Sequence, residues 1–150
     1  MLRIISSLLE FLGRWPNLFN LMSRRDFVYV ANHRTVDYEY VVRGTKWIRN
    51  LTKTYMDQHK IAARNPAMFV DFFNDSIQVP NYWNNFEIID LFFTRRREVL
   101  SFVKAVDRSQ GIFHYRWGDA PLRYITLALF ADAKQILHRE KLQLNYCHPC

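Results

Sequence analysis

Residues 81–93 read NYWNNFEIIDLFF and residues 114–125 read HYRWGDAPLRYI, and these two stretches decide the fold class. Pro80, just ahead of the first, has no backbone N–H to give to a ladder, so the extended stretch 78–83 belongs at a sheet edge or in a loop. Residues 88–93 form a continuous apolar run broken by one acid, Asp90. In the second stretch Asp119 can accept from free N–H groups at a helix start, and Pro121 sits in the first turn, where its missing donor costs nothing. That combination predicts a helix over Asp119–Phe130.

Working outward, residues 17–22 read as a short helix and residues 26–32 (DFVYVAN) as a strand, alternating and rich in β-branched and aromatic side chains. Residues 45–64 carry Trp47, Ile48, Leu51, Tyr55 and Ala62 near one helical face, which predicts a long amphipathic helix. Asn65 then serves as N-cap and Pro66 as first residue of the next helix. Its Met68, Phe69, Phe72 and Phe73 are core candidates. Residues 95–108 predict a helix with Val99, Leu100, Val103 and Val106 inward and Gly111 as its stop. Residues 134–138 read as a last strand. Helices interleaved with strands make the class mixed α/β.

The chain has 150 residues, enough for one domain or part of one, and 49% hydrophobic with 16% aromatic residues excludes a disordered chain. No internal repeat is present. The net charge of +7 suits an anionic partner, but the basic residues are spread out apart from Arg24 with Arg25 and the run Arg95, Arg96, Arg97. Such runs are ordinarily solvated faces. With no zinc-finger spacing or RNA-binding signature, no nucleic-acid partner is expected. Residues 1–13 (MLRIISSLLEFLG) are too short to span a bilayer, are interrupted by Glu10, and lack a cleavage site. They read as an amphipathic helix through Leu2, Ile5, Leu8, Leu9 and Leu12, with no targeting signal. Two N-x-S/T triplets, at Asn50 and Asn74, matter only in a secretory lumen.

The chemistry-bearing candidates are few. Glu87 lies between Phe86 and Ile88, close to Trp83; a carboxylate among aromatics is paired, displaced to solvent, or functional. Asp119 is either a plain cap or a carboxylate held rigidly at a helix start. Arg116 can pair with either acid or clamp a phosphate. Cys147 and Cys150 form a lone C-x-x-C without a second pair for zinc, so a terminal disulfide or two free thiols are the default. No P-loop, G-x-G-x-x-G, H-E-x-x-H or G-x-S-x-G occurs.

Three blocks in order carry a family resemblance: Trp83, Asn85, Phe86, Glu87, Ile88, Asp90 and Leu91; then Arg116, Trp117, Gly118, Asp119, Ala120 and Pro121, with Gly111 ahead; then Tyr146, His148 and Pro149. The chain resembles the C-terminal, acceptor-side part of the fungal Golgi α-1,2-mannosyltransferases. The resemblance implies part of a GT-A-like α/β fold and retaining transfer of mannose from GDP-mannose to a mannosylated glycan or glycolipid. It also implies Mn2+ as cofactor and the Golgi membrane or secretory lumen as location, with membrane attachment only through a segment not in this sequence. By resemblance Glu87 is the carboxylate beneath the reacting sugar carbon, Asp119 the acceptor-side aspartate and His148 a metal ligand. Trp83, Asn85, Arg116, Trp117 and Tyr146 are then the substrate contacts. The sequence departs from the family at Tyr115, where Glu is usual, at Leu122 and Arg123, where Val-His is usual, and in having no Glu-Pro-Asp-type metal motif. These departures leave a second expectation open: an inactive fragment serving as a carbohydrate-binding or scaffold module.

Overall fold

The structure, a computed structural model, describes residues 18–38, 44–74, 77–84 and 87–138. The elements follow in the order α1 (Leu18–Arg25), β1 (Tyr29–Ala31), β2 (Arg34–Tyr38), α2 (Thr45–His59), α3 (Pro66–Asn74), β3 (Gln78–Tyr82), β4 (Ile88–Ile89), α4 (Leu91–Thr94), α5 (Arg97–Arg108), α6 (Gly111–His114) and α7 (Asp119–Phe130). A 3-10 turn, Ala133–Gln135, leads into β5 (Ile136–His138). The class is mixed α/β, as the sequence predicts.

Two small sheets organise the described residues. β1 is central in the first, antiparallel to β4 and parallel to β5, with Tyr29 opposite both Ile89 and Ile136. All three β1 residues are fully buried, as befits a strand covered on both faces. β2 and β3 form the second sheet, antiparallel, with Arg34 opposite Tyr82 and Val36 opposite Pro80. Pro80 thus sits in a two-stranded sheet where every strand is an edge, the place a residue without an N–H tolerates.

Helix α7 is the spine of the core. Tyr124, Ile125, Leu127, Leu129 and Phe130 are buried with Phe72, Phe93 and Phe102 from the neighbouring helices. Its final carbonyls find partners in the segment after α2: Arg64 N–H donates to Leu129 O at 3.1 Å and Asn65 N–H to Ala128 O at 3.0 Å. This explains why α2 ends earlier than its sequence suggests. The helix stops at His59, Lys60 turns into the left-handed region (φ 53°), and residues 61–65 form an irregular connection. Ala62 is therefore outside the helix and exposed, and Trp47 is half-exposed, while Ile48 and Tyr55 face inward as predicted. Asn65 then caps α3, its Oδ1 accepting from Met68 N–H at 3.2 Å, with Pro66 in first position.

Two further expectations, the inward face of α5 and the role of Gly111, are corrected. In α5 the inward stripe is Val99, Phe102 and Val106; Leu100 and Val103 are 41% and 48% exposed. Gly111 does not stop α5 but opens α6, because Gln110 takes the left-handed turn (φ 55°). A Cβ on Gly111 would lie 2.2 Å from the Trp117 ring, so the glycine makes room for that indole. Asp90 divides the apolar run: its side chain accepts from Phe92 N–H at 2.9 Å, ending β4 and starting α4. The stretches 1–13, 75–76 and 139–150 lie outside the described residues, and with them the N-terminal helix expectation, the second N-x-S/T triplet beyond Asn74, and the C-x-x-C.

Candidate active site

Glu87 arrives just ahead of β4, and its partners come from two other elements. The Tyr29 hydroxyl, on β1, donates to Oε2 at 2.7 Å. Arg123, on α7, reaches Oε1 with Nη2 at 3.3 Å. Of the alternatives open for a carboxylate among aromatics, the structure takes the paired one, and the carboxylate stays partly accessible. The cation is Arg123, not Arg116, which faces solvent and makes no ion pair among the described residues. Arg116 sits at φ 53°, a costly conformation for a side chain with a Cβ. Arg123 Nε is buried with no hydrogen-bond partner among the described residues, so its guanidinium keeps one donor unspent.

Asp119 is the first residue of α7 and Gly118 the N-cap, one position from the cap role predicted. Its carboxylate still serves the helix start, Oδ1 accepting from Ala120 N–H at 3.0 Å, while Oδ2 takes Asn84 Nδ2–H at 2.5 Å. Asp119 and Arg123 stand four apart on one helix and so share a face. One face of α7 thereby meets the 81–93 stretch twice, at Asn84 and at Glu87.

Behind these carboxylates the tyrosine rings pack together: Tyr29 against Tyr82 at 5.9 Å and Tyr82 against Tyr124 at 5.1 Å between centroids. Burial pushes Tyr82 up to about 12. Burial and then the hydrogen bond to a carboxylate drive Tyr29 (on Glu87) and Tyr124 (on Asp71) further up. All three stay protonated at neutral pH and act as donors.

The aromatic candidates divide. Trp83 is half-exposed, edge-on to His33 at 4.8 Å, and offers an open ring. Trp117 is buried, its indole N–H donating to Gly44 O at 2.9 Å and its ring stacked on Tyr115 at 5.9 Å. The Trp117 ring is thereby covered and anchors the turn carrying Arg116. Asn85, Tyr146 and His148 lie outside the described residues. Among the described residues no three or more His, Cys, Asp or Glu side chains converge as a metal requires, so this part of the chain does not by itself fit Mn2+.

A groove of about 590 Å³ opens elsewhere, between α1 and the β4–α4 segment, and neither Glu87 nor Asp119 lines it. Its walls include Phe19, Met22, Leu91 and Phe92, and Asp90 is already spent on Phe92 N–H. It offers little to a polar sugar.

Tyr29, Asn84 and Arg123 were not singled out as site residues by sequence reasoning. For Arg123 a signal existed: it follows Asp119 by four on a predicted helix, and its type departs from the family pattern. For Tyr29 there was none, since only the sheet pairing of β1 with β4 brings it to Glu87.

Comparison with known proteins gives a consistent result. The sequence profile described as glycolipid 2-alpha-mannosyltransferase matches residues 17–149. The alpha-1,2 mannosyltransferase KTR1 of Saccharomyces cerevisiae is 31% identical over 126 residues, 81% of this chain and 31% of that protein. The glycolipid 2-alpha-mannosyltransferase 2 of Candida albicans is 36% identical, covering 80% of this chain and 26% of that protein. Among solved structures, core-mannan synthase A of Aspergillus fumigatus in its Mn/GDP form superposes with a TM-score of 0.69 at 27% identity, over 83% of this chain and 36% of that one. The mannosyltransferase Ktr4p of S. cerevisiae in complex with GDP gives 0.67 at 25% identity, over 81% and 33%. The chain thus spans about a third of the length of these relatives, and its mixed α/β fold agrees with part of theirs.

Proposed function

Because the chain belongs to the glycolipid 2-alpha-mannosyltransferase family, we propose that it forms the acceptor-side part of an α-1,2-mannosyl transfer site. The donor is GDP-mannose and the acceptor a mannosylated glycan or glycolipid, in protein or lipid glycosylation within the Golgi lumen. The observation that carries this reading is the Glu87 carboxylate, held by Tyr29 and Arg123 yet partly open, within a segment the family profile covers.

As the bond from the anomeric carbon to the diphosphate breaks, positive charge grows on that carbon, and a fixed carboxylate beneath it stabilises the charge. Two donors fix Glu87 as an acceptor-only group aimed in one direction. Asp119, held by Asn84, takes the acceptor side and orients the incoming hydroxyl. Trp83 and Arg116, which are exposed, contact substrate together with Asn85, Trp117 and Tyr146 by family resemblance. Manganese belongs to this reading through His148 and the Mn/GDP form of the Aspergillus enzyme; the residues described above act on the sugar, not on the metal. Radiolabelled mannose transfer from GDP-mannose to an α-mannoside tests the assignment. Glu87→Gln should lose transfer, and a variant as active as the parent removes Glu87 from this role.

A second reading, a non-catalytic carbohydrate-binding or scaffold module, is favoured by the missing metal set among the described residues. Calorimetry separates the two. Heat on titrating GDP-mannose with manganese supports the transferase, and none at millimolar ligand supports the module.

A further inference from the structure

Asp71, on α3, ties together three elements that the proposed site depends on. Arg34, on β2, grips it side-on, Nε to Oδ2 at 2.9 Å and Nη2 to Oδ1 at 2.7 Å. The Tyr124 hydroxyl, on α7, donates to Oδ2 as well. The Arg34/Asp71 pair is partly exposed, and such pairs add little stability by themselves. What a bidentate pair supplies is direction.

Direction matters for α7. Its last turn is held by backbone bonds from Arg64 and Asn65 to Leu129 O and Ala128 O, so the first two turns, with Asp119 and Arg123, depend on side-chain contacts for their orientation. Tyr124 stands next to Arg123, which reaches Glu87, and five residues after Asp119, which reaches Asn84. The Tyr124 ring also packs on Tyr82, and Tyr82 on Tyr29, whose hydroxyl ends on Glu87. Glu87 is therefore approached along α7 and along the tyrosine ladder, and both routes pass through Tyr124.

We infer that Asp71 is a positioning residue: through Tyr124 it sets the rotation of α7, and so the reach of Arg123 to Glu87 and of Asp119 to Asn84. The inference builds on the roles given to Glu87 and Asp119 above, but it concerns their placement. Asp71 touches neither, and Arg34 holds the same Oδ2 that Tyr124 does.

The test is nuclear magnetic resonance of the full 150-residue chain, reading the Arg123 guanidinium and Asn84 side-chain amide protons in Asp71→Asn and Tyr124→Phe. Tyr124→Phe keeps the ring and the core, so it remains informative if Asp71→Asn folds poorly. In both variants the Arg123 guanidinium protons should exchange with solvent about tenfold faster, as expected of a contact that opens more readily, and the Asn84 amide should shift. Glu98→Gln, which breaks the remote pair with Arg64, should change neither signal. Unchanged Arg123 and Asn84 signals in both variants, with only a lower melting temperature, would make Asp71 a plain structural residue and overturn the inference. Mannose transfer that persists in Glu87→Gln while Asp71→Asn still moves both signals would sink the catalytic reading and leave the positioning intact.

Discussion

Tyr29 and Glu87 are 58 residues apart in sequence and meet through a 2.7 Å hydrogen bond from the hydroxyl to Oε2. The bond spans the antiparallel pairing of β1 with β4, so one contact ties the central strand to the proposed catalytic carboxylate. Tyr29→Phe keeps the buried ring and removes only the donor. A hydrogen bond to a charged group is worth about 1.5–3 kcal/mol, and partial exposure of Glu87 lowers that to about 1–2. The urea midpoint should fall accordingly with an unchanged slope. A midpoint equal to the parent's would mean that water replaces the hydroxyl at no cost.

The same tyrosines dictate behaviour at alkaline pH. Tyr82 is pushed up to about 12 by burial, and Tyr29 and Tyr124 higher still. Below about pH 10, the unfolded value, both states keep these protons and the stabilisation is fully present. As pH rises beyond it, the unfolded chain releases protons that the folded chain retains, so stability falls progressively through the folded values. Absorbance at 295 nm follows tyrosine ionisation while circular dichroism follows the fold. Tyr29, Tyr82 and Tyr124 should appear only together with the loss of circular dichroism. Ionisation of Tyr29, Tyr82 and Tyr124 near the unfolded value of about 10 with intact dichroism would contradict the buried ladder.

Gly111 and Gly118 flank the Trp117 turn and differ sharply in the space they leave. A Cβ at Gly111 meets the indole at 2.2 Å, whereas one at Gly118 meets Pro121 Cδ at 3.5 Å, an ordinary contact. Gly111→Ala must displace Trp117 and its bond to Gly44 O, at about 1–3 kcal/mol or more for overpacking. Gly118→Ala loses only a favourable cap residue, a cost of about 1 kcal/mol or less. Thermal melts of the two variants rank them, and Trp117 fluorescence should change only in Gly111→Ala.

The contrast between what the sequence discloses and what it hides is physical. Local chemistry is legible: Asn65 and Pro66 announce α3, Pro80 announces an edge, and the apolar run after Asp119 announces α7, because each depends on a residue's own backbone preferences. The carboxylates Glu87 and Asp119 stand out for the same reason, as polar groups in apolar or helix-start settings. Their partners are hidden because they are decided by pairing across the chain. Tyr29 reaches Glu87 only because β1 adds to β4, and Arg34 reaches Asp71 only because β2 lies along β3. The end of α2 is hidden as well, since Arg64 and Asn65 give their N–H groups to the last carbonyls of α7.

Helix α5 offers the clearest test of which face carries the core. Period alone admits Val99, Leu100, Val103 and Val106, all branched and apolar. The structure instead buries Phe102 fully, edge-on to Tyr55 at 5.2 Å and near Phe130 at 6.0 Å, and turns Val103 outward at 48% exposure. The reason is volume: one large ring between α2 and α7 fills the gap that two valines would leave open. Phe102→Ala should therefore cost about 3–5 kcal/mol, the range for an aromatic removed from a packed interior. Val103→Ala should stay within about 0.5 kcal/mol, since it loses little contact and gains helix propensity. Chemical denaturation of the pair decides the matter. Equal losses would place the seam between Phe102 and Val103, and a larger loss at Val103 would rotate the helix back to the face that its valines alone suggest.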